Sequence, residues 1–213
     1  MLIDWFQDKE EVNRVWFTAD QHFGHGAIIK HCKRPFPDAE TMDRALIEKW
    51  NEVVGPDDIV VHLGEFTLGD VAAAESYFLK LQGRIFILAN EWHHDRRWLT
   101  LAPNTHPPCH ILGSQGMVKS ANGHIVQALP PLLVLEIPWL SKQGYPLAIT
   151  LCHYPLAEWD RKHYGAWHLH GHSHGRHKHE GDGYILDVDV DAHNFCPINL
   201  SGVLERMSDQ GWR

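Results

Sequence analysis

Apolar runs that end abruptly in polar residues alternate with amphipathic stretches in the first half of the chain. Residues 12–18 (VNRVWFT) are rich in β-branched and aromatic side chains, a strand signal, and lead straight into Asp20-Gln21-His22. Over residues 41–54, Met42, Ala45, Leu46, Lys49, Trp50 and Val53 recur at helical offsets, and Gly55-Pro56 ends the stretch. Residues 59–63 form a short apolar run ending at Gly64-Glu65. Asp70 is placed to cap a helix through Leu81, with Val71, Ala74, Phe78 and Leu81 on one face and Gly83 beyond its end. Residues 85–88 (IFIL) read as a buried strand, again followed by polar residues. Further on, Asn122-Gly123 marks a hairpin, and residues 132–137, 147–152 and 185–190 read as strands. The tail over residues 198–206 is expected to supply a last strand. Without repeats or linkers, this order predicts one α/β domain over 1–213, helix-rich early and sheet-rich late.

Composition narrows the class. The 213 residues include 44% apolar and 22% charged side chains, enough to build a core and too apolar for a disordered chain. No apolar window is long enough to cross a membrane, and the first residues lack the order of a signal peptide. Four separate cysteines without a Cys-x-x-Cys pair argue against a disulfide framework and a thiolate zinc site, which points to the reducing cytoplasm. With 19 Lys plus Arg against 27 Asp plus Glu, the net charge is −8, which disfavours a broad nucleic-acid-binding face. Histidine stands out: its 18 copies exceed the 17 glycines, and imidazole is the commonest protein metal ligand.

Placement of those histidines decides their meaning. Polar, metal-competent residues follow the apolar runs: Asp20 and His22, then Glu65, then Asn90 within LANEWHHD, then His153 within LCHYP. A fifth block, Gly171-His172-Ser173-His174, repeats the one-residue spacing of Asp20 and His22. In extended geometry such pairs point the same way and can share one ion. Strand ends are also where open α/β sheets bind ligands.

In this order, Asp-x-His, Gly-Glu, Asn followed by His-Asp, a lone His and Gly-His-x-His, the blocks resemble the metallophosphoesterase (calcineurin-like phosphoesterase) superfamily. Stretches such as WFTADQHFGHGAII and HLHGHSH resemble its phage-type, small bacterial branch. The resemblance implies a four-layer αββα sandwich of two mixed β-sheets flanked by helices. It implies two divalent metal ions, Mn²⁺ first, with Fe, Zn²⁺ or Ni²⁺ as alternatives, and donors of this hardness suit them. Asp20, His22 and His174 would hold one ion; Asn90, His153 and His172 the other; Glu65 would take the bridging position. A metal-bridging hydroxide would then hydrolyse a small phosphomonoester or phosphodiester.

Two departures from the pattern matter. Glu65 stands where the family has Asp, and its extra methylene moves the carboxylate by about 1 Å, a scale on which rates can fall by roughly 100-fold. In the third block, left-hand alignment keeps Asn90 as ligand and puts Glu91 at the general-acid position. Right-hand alignment makes His94 the acid and Asp95 its orienting partner, with His93 as the ligand; proton-transfer chemistry favours His94-Asp95. The rival functions are a metal-binding interaction scaffold that has lost catalysis, and a nuclease. Around the motifs, His25 reads equally as a phosphate contact or a cap, and Arg34 as a packed turn residue or a phosphate contact. His168 and His170 suit support or packing, His177 and His179 solvent, and Trp92 and Trp98 either core or cleft wall.

Overall fold

The computed structural model describes residues 9–89, 94–102, 108–142, 144–177 and 182–212. A short 3₁₀ turn precedes β1 (Val15–Thr18), which is followed by α1 (Gly26–Cys32), α2 (Ala39–Val53), β2 (Ile59–His62), α3 (Val71–Phe78) and β3 (Arg84–Leu88). Next come the short strands β4 (Cys109–His110), β5 (Leu112–Gly113), β6 (Gly116–Met117) and β7 (Gln127–Leu129), and the long hairpin β8 (Leu132–Lys142) and β9 (Tyr145–Cys152). The chain ends with β10 (Trp167–His170), β11 (Tyr184–Asp187), β12 (Ile198–Asn199) and α4 (Leu200–Asp209).

Two mixed sheets form the sandwich. In the first, ordered β12-β1-β2-β3-β7-β4, the four inner strands are parallel and both edges antiparallel. In the second, ordered β11-β10-β9-β8, three strands are parallel and β8 returns antiparallel. Strand periodicity sends alternate side chains to opposite faces. Phe17, Val61, Phe86 and Leu88 therefore face the second sheet, where they meet Leu135, Ile149, Leu151, Trp167 and Leu169. Val60, Ile85 and Ile87 face outward onto Met42, Leu46 and Trp50 of α2 and Phe78 of α3. Burial on both faces explains why β2 and β3 are unbroken apolar runs. The outer face of the second sheet is covered by Trp159 and the 3₁₀ turn after it, with Ala148, Ala166 and Ile185 beneath.

Capping side chains set the helix starts: Asp38 accepts from the Thr41 N–H, and Asp70 from the Ala73 N–H. The third helix stops at Phe78 and a tight turn carries Leu81 into the core, so it ends short of the expected Leu81. The expected strand over 198–206 is corrected: only Ile198 and Asn199 pair, and the rest is α4. Leu200, Val203 and Met207 recur at helical spacing and are buried, and the Asn199 side chain caps the helix by accepting from the Gly202 N–H. The strand expected over 185–190 ends at Asp187, and Val190 opens a 3₁₀ turn. Among the described residues no helix is long and apolar enough to cross a membrane.

Phe66, Phe78 and Trp98 form a fully buried aromatic stack beside the cleft, with the Phe66 and Phe78 rings 4.0 Å apart and nearly parallel. Truncation by Phe78→Ala is expected to lower stability by about 3–5 kcal/mol, measured as the loss of unfolding free energy in urea titration.

Candidate metal centre

Residues that follow the carboxyl ends of the parallel strands β1, β2 and β10 line one cleft of about 1010 Å³. Past β1 and β2 the two loops stay zipped together. Asp20 N–H donates to the Gly64 carbonyl at 3.0 Å, His22 N–H to Glu65 at 3.1 Å and Phe23 N–H to Phe66 at 2.9 Å. That zipper brings Asp20, His22 and Glu65 side by side. The second sheet supplies His153 directly after β9, and His172 and His174 after β10.

Convergence comes from turn geometry, not from the extended alternation expected of Asp20-x-His22 and His172-x-His174. Asp20, His22, Glu65, His172 and His174 all adopt left-handed backbone, with φ of 62°, 53°, 61°, 69° and 50°. L-residues pay roughly 1–3 kcal/mol for sparsely populated conformations of this kind, and such residues cluster at functional sites.

Asp20 is the centre of the arrangement. Its side chain is 1% exposed, and Oδ2 accepts from the His172 N–H at 2.8 Å. Oδ1 faces the Nε2 atoms of His22 at 3.6 Å, His153 at 3.9 Å and His174 at 3.9 Å. Gly171 makes room for this carboxylate, since a Cβ there would lie 2.3 Å from Asp20 Oδ2. Glu65 reaches the same point in spite of its length: Oε2 lies 3.5 Å from His22 Nε2.

The rings are oriented from behind. Nδ1 of His153 lies 3.1 Å from the Leu63 carbonyl, so it donates there and turns Nε2 into the cleft. His174 Nδ1 lies 2.7 Å from Asp191 Oδ2 and 3.0 Å from Asp189 Oδ2. His172 is exposed, its ring edge-on to Tyr154 and His153 at the cleft mouth. Beneath the loops, buried His62 accepts from the Gly64 N–H and hydrogen-bonds Gln21.

Two further groups support these loops, and Arg34 bears out its reading as a packed turn residue. Arg34 is not free to touch phosphate. Its side chain is fully buried, donating to the Asp20 and Gln21 carbonyls at 2.7 and 2.8 Å and to both oxygens of Asp191 at 2.9 and 2.8 Å. The run Asp187-Val188-Asp189-Val190-Asp191 was overlooked, although three carboxylates at alternate positions after a strand were a visible signal. Asp187 accepts from Ser173 and Gly175, holding the histidine loop.

The third block divides. Asn90, Glu91, Trp92 and His93 lie outside the described residues, as does His179. His94 stands at the cleft, its side chain half exposed, with Nε2 3.8 Å from Glu65 Oε2. Asp95 is corrected: it does not orient the His94 ring. Fully buried, it accepts from the Phe66 N–H at 3.0 Å, from Thr67 at 3.2 Å and from the Trp98 indole at 2.9 Å, so it staples the loop after Glu65. Trp98 is therefore core, not cleft wall. His25 lines the cleft and makes no side-chain cap. His168 bonds main-chain groups and His170 the Gly171 carbonyl, both as support, and His177 is exposed against His170.

Burial dominates the electrostatics. It pushes the Asp20 and Asp189 carboxyls well above the ordinary carboxylate range, and the Glu65 carboxyl upward too. It pulls His22 well below the usual imidazole value, with help from the Arg34 charge. Burial also opposes the charged form of Asp191, but hydrogen bonds from His174 and Arg34 together hold its carboxyl below the ordinary value. A divalent cation bound among these oxygens and ring nitrogens would favour the deprotonated form of each ligand. The His22 Nε2 supplies the direct test, being buried with no hydrogen-bond partner and aimed between Asp20 and Glu65.

Among the described residues, two closely spaced clusters hold donor atoms within 4.8 Å of one another: Asp20, His22 and His174, and Cys32, His174 and Asp191. The cleft is thus equipped to bind metal. In the second cluster Asp191 is already engaged by Arg34, so the first offers the more available donors.

No family model matches the chain. A stretch of 88 residues is 40% identical to an uncharacterized protein of Methanocaldococcus jannaschii, covering 40% of this chain and 48% of that one. The gene 66 protein of Mycobacterium phage L5 is 25% identical over 146 residues, 68% of this chain and 64% of the phage protein. The chain therefore spans about half to two thirds of the length of these relatives. A protein of unknown function from Aquifex aeolicus shares the fold with a TM-score of 0.54 at 18% identity, over 92% of this chain and 97% of its own.

Two outcomes are expected. Arg34→Ala leaves Asp191 buried without its cation and should destabilise the fold by about 3–5 kcal/mol in denaturant titration, and Lys should rescue it poorly because it lacks the planar fork. Burial raises the Asp95 carboxyl from 3.8 to about 6. A raised folded-state value stabilises the protein fully below the unfolded value, and that contribution is lost as pH rises through about 6. The stability of wild type relative to Asp95→Asn should therefore fall between about pH 4 and 6 in urea titrations across that range.

Proposed function

We propose that the chain is a metal-dependent phosphoester hydrolase of the metallophosphoesterase type. The observation that carries this reading is one buried carboxylate oxygen, Asp20 Oδ1, facing the Nε2 atoms of His22, His153 and His174 from two different sheets. Asp20, His22 and His174, with Glu65 beside them, would hold one divalent ion. His153 and His172, with Asn90 as the third expected ligand, would hold a second. Nitrogen and carboxylate donors fit Mn²⁺ best, with Fe, Zn²⁺ and Ni²⁺ as alternatives. Divalent ions in such a site supply Lewis acidity toward phosphate oxygens and activate water at neutral pH.

The chain's own groups do the rest. The Leu63 carbonyl and the Asp189 and Asp191 carboxylates fix which ring nitrogen of His153 and His174 faces the cleft. The backbone of His172 fixes Asp20. His94, half exposed beside Glu65, is placed to give a proton to the leaving alkoxide as water's oxygen bonds to phosphorus. The substrate is a small phosphomonoester or phosphodiester.

Hydrolysis of p-nitrophenyl phosphate and its bis-ester should appear with Mn²⁺, vanish after EDTA and return when metal is restored. His94→Ala should lower kcat by about 10²–10⁴-fold at unchanged metal content. Turnover that survives complete metal removal would overturn the reading. A metal-loaded but inert protein would favour the interaction scaffold.

A further inference from the structure

Charge around the cleft is sharply sorted. The acids lining it, among the described residues, are Asp20 and Glu65, and both sit at the metal-binding floor. The cleft lining also carries two cations, Lys30 from α1 and Arg176 from the loop after β10, with His31 beside Lys30. All three are exposed. Neither Lys30 nor His31 has an acidic partner among the described residues, and Arg176 makes a bond through Nε to the Ser173 carbonyl, leaving the end of its fork available. This happens in a chain of net charge −8, so the basic rim is not a sample of the general surface.

Resting on the phosphoesterase reading, we propose that the cleft takes a small molecule bearing a second phosphate besides the one it cleaves. Asp20, His22 and His174 would hold the metal that takes the scissile phosphate, and Lys30 and Arg176 take the other. Gly26 and Ala27 also line the cleft at the start of α1 and occupy little of it. Lys30 stands about one helical turn beyond Gly26 on α1, and both line the same cleft. Arginine grips phosphate through a planar fork, and lysine supplies a point charge. A cleft of about 1010 Å³ suits a small ligand.

The experiment compares adenosine 3′,5′-bisphosphate with adenosine 5′-monophosphate in the Mn²⁺-loaded protein, by kcat/KM and by calorimetric binding. The bisphosphate should be preferred, and Lys30→Ala/Arg176→Ala should reduce the preference about tenfold, the scale expected for two charged contacts at an exposed rim. Lys30→Arg should keep it. Turnover without a preference, or a preference unchanged in the double variant, overturns the second-phosphate subsite and leaves the phosphoesterase reading standing. Rim-dependent binding with no turnover of any ester supports the subsite and overturns that reading instead. Stronger competition by a single-stranded oligodeoxynucleotide than by the bisphosphate would overturn the small-molecule assignment.

Discussion

A single carboxylate in a space without a Cβ organises this molecule's chemistry. Asp20 belongs to the first sheet, yet its Oδ2 is held by the His172 backbone of the second, and Gly171 lets the two loops approach this closely. The other oxygen then faces three imidazole nitrogens from three different loops. Tenths of an ångström matter at such a point, and loops alone cannot deliver them. The positions are inherited from parallel strands locked by a dry core between the sheets, where Phe17, Leu63, Leu151 and Trp167 leave no room to slide.

The site is costly to hold. Five candidate ligands sit in left-handed backbone, and Asp20, Asp95, Asp189 and Arg34 are buried polar groups. Each is tied down by specific partners: the loop zipper for Asp20 and His22, Asp191 for Arg34, the Phe66 and Thr67 amides for Asp95. Large apolar side chains beneath them, among them Trp50, Phe78 and Trp98, provide the burial that keeps a strained polar cluster folded.

Much of this was legible in the residues. Strands β1, β2 and β3 were readable because burial on both faces forces unbroken apolar runs, and Asp20, His22, His153 and His174 stood at or near strand ends in a suggestive order. The tail misled because Ile198, Leu200 and Val203 satisfy a strand or a helix over so short a run, and only the Asn199 cap separated them. Asp95 was paired with His94 by aligning the third block to the family pattern, but an alignment does not reveal which way a buried carboxylate turns. Arg34 read as a packed turn residue, but its partner stayed hidden because Asp191 lies 157 positions away. The left-handed turns were invisible for a related reason: they are imposed by tertiary hydrogen bonds, not by glycine.

The bond between Asp20 and His172 spans 152 positions. During synthesis the first of these residues emerges long before the second exists, and until then its carboxylate remains hydrated and charged. Contacts of such separation are among the last to form. The metal centre is therefore a late product of assembly, closed only when both sheets have met, and a cation bound there would reward the finished sandwich and none of its parts.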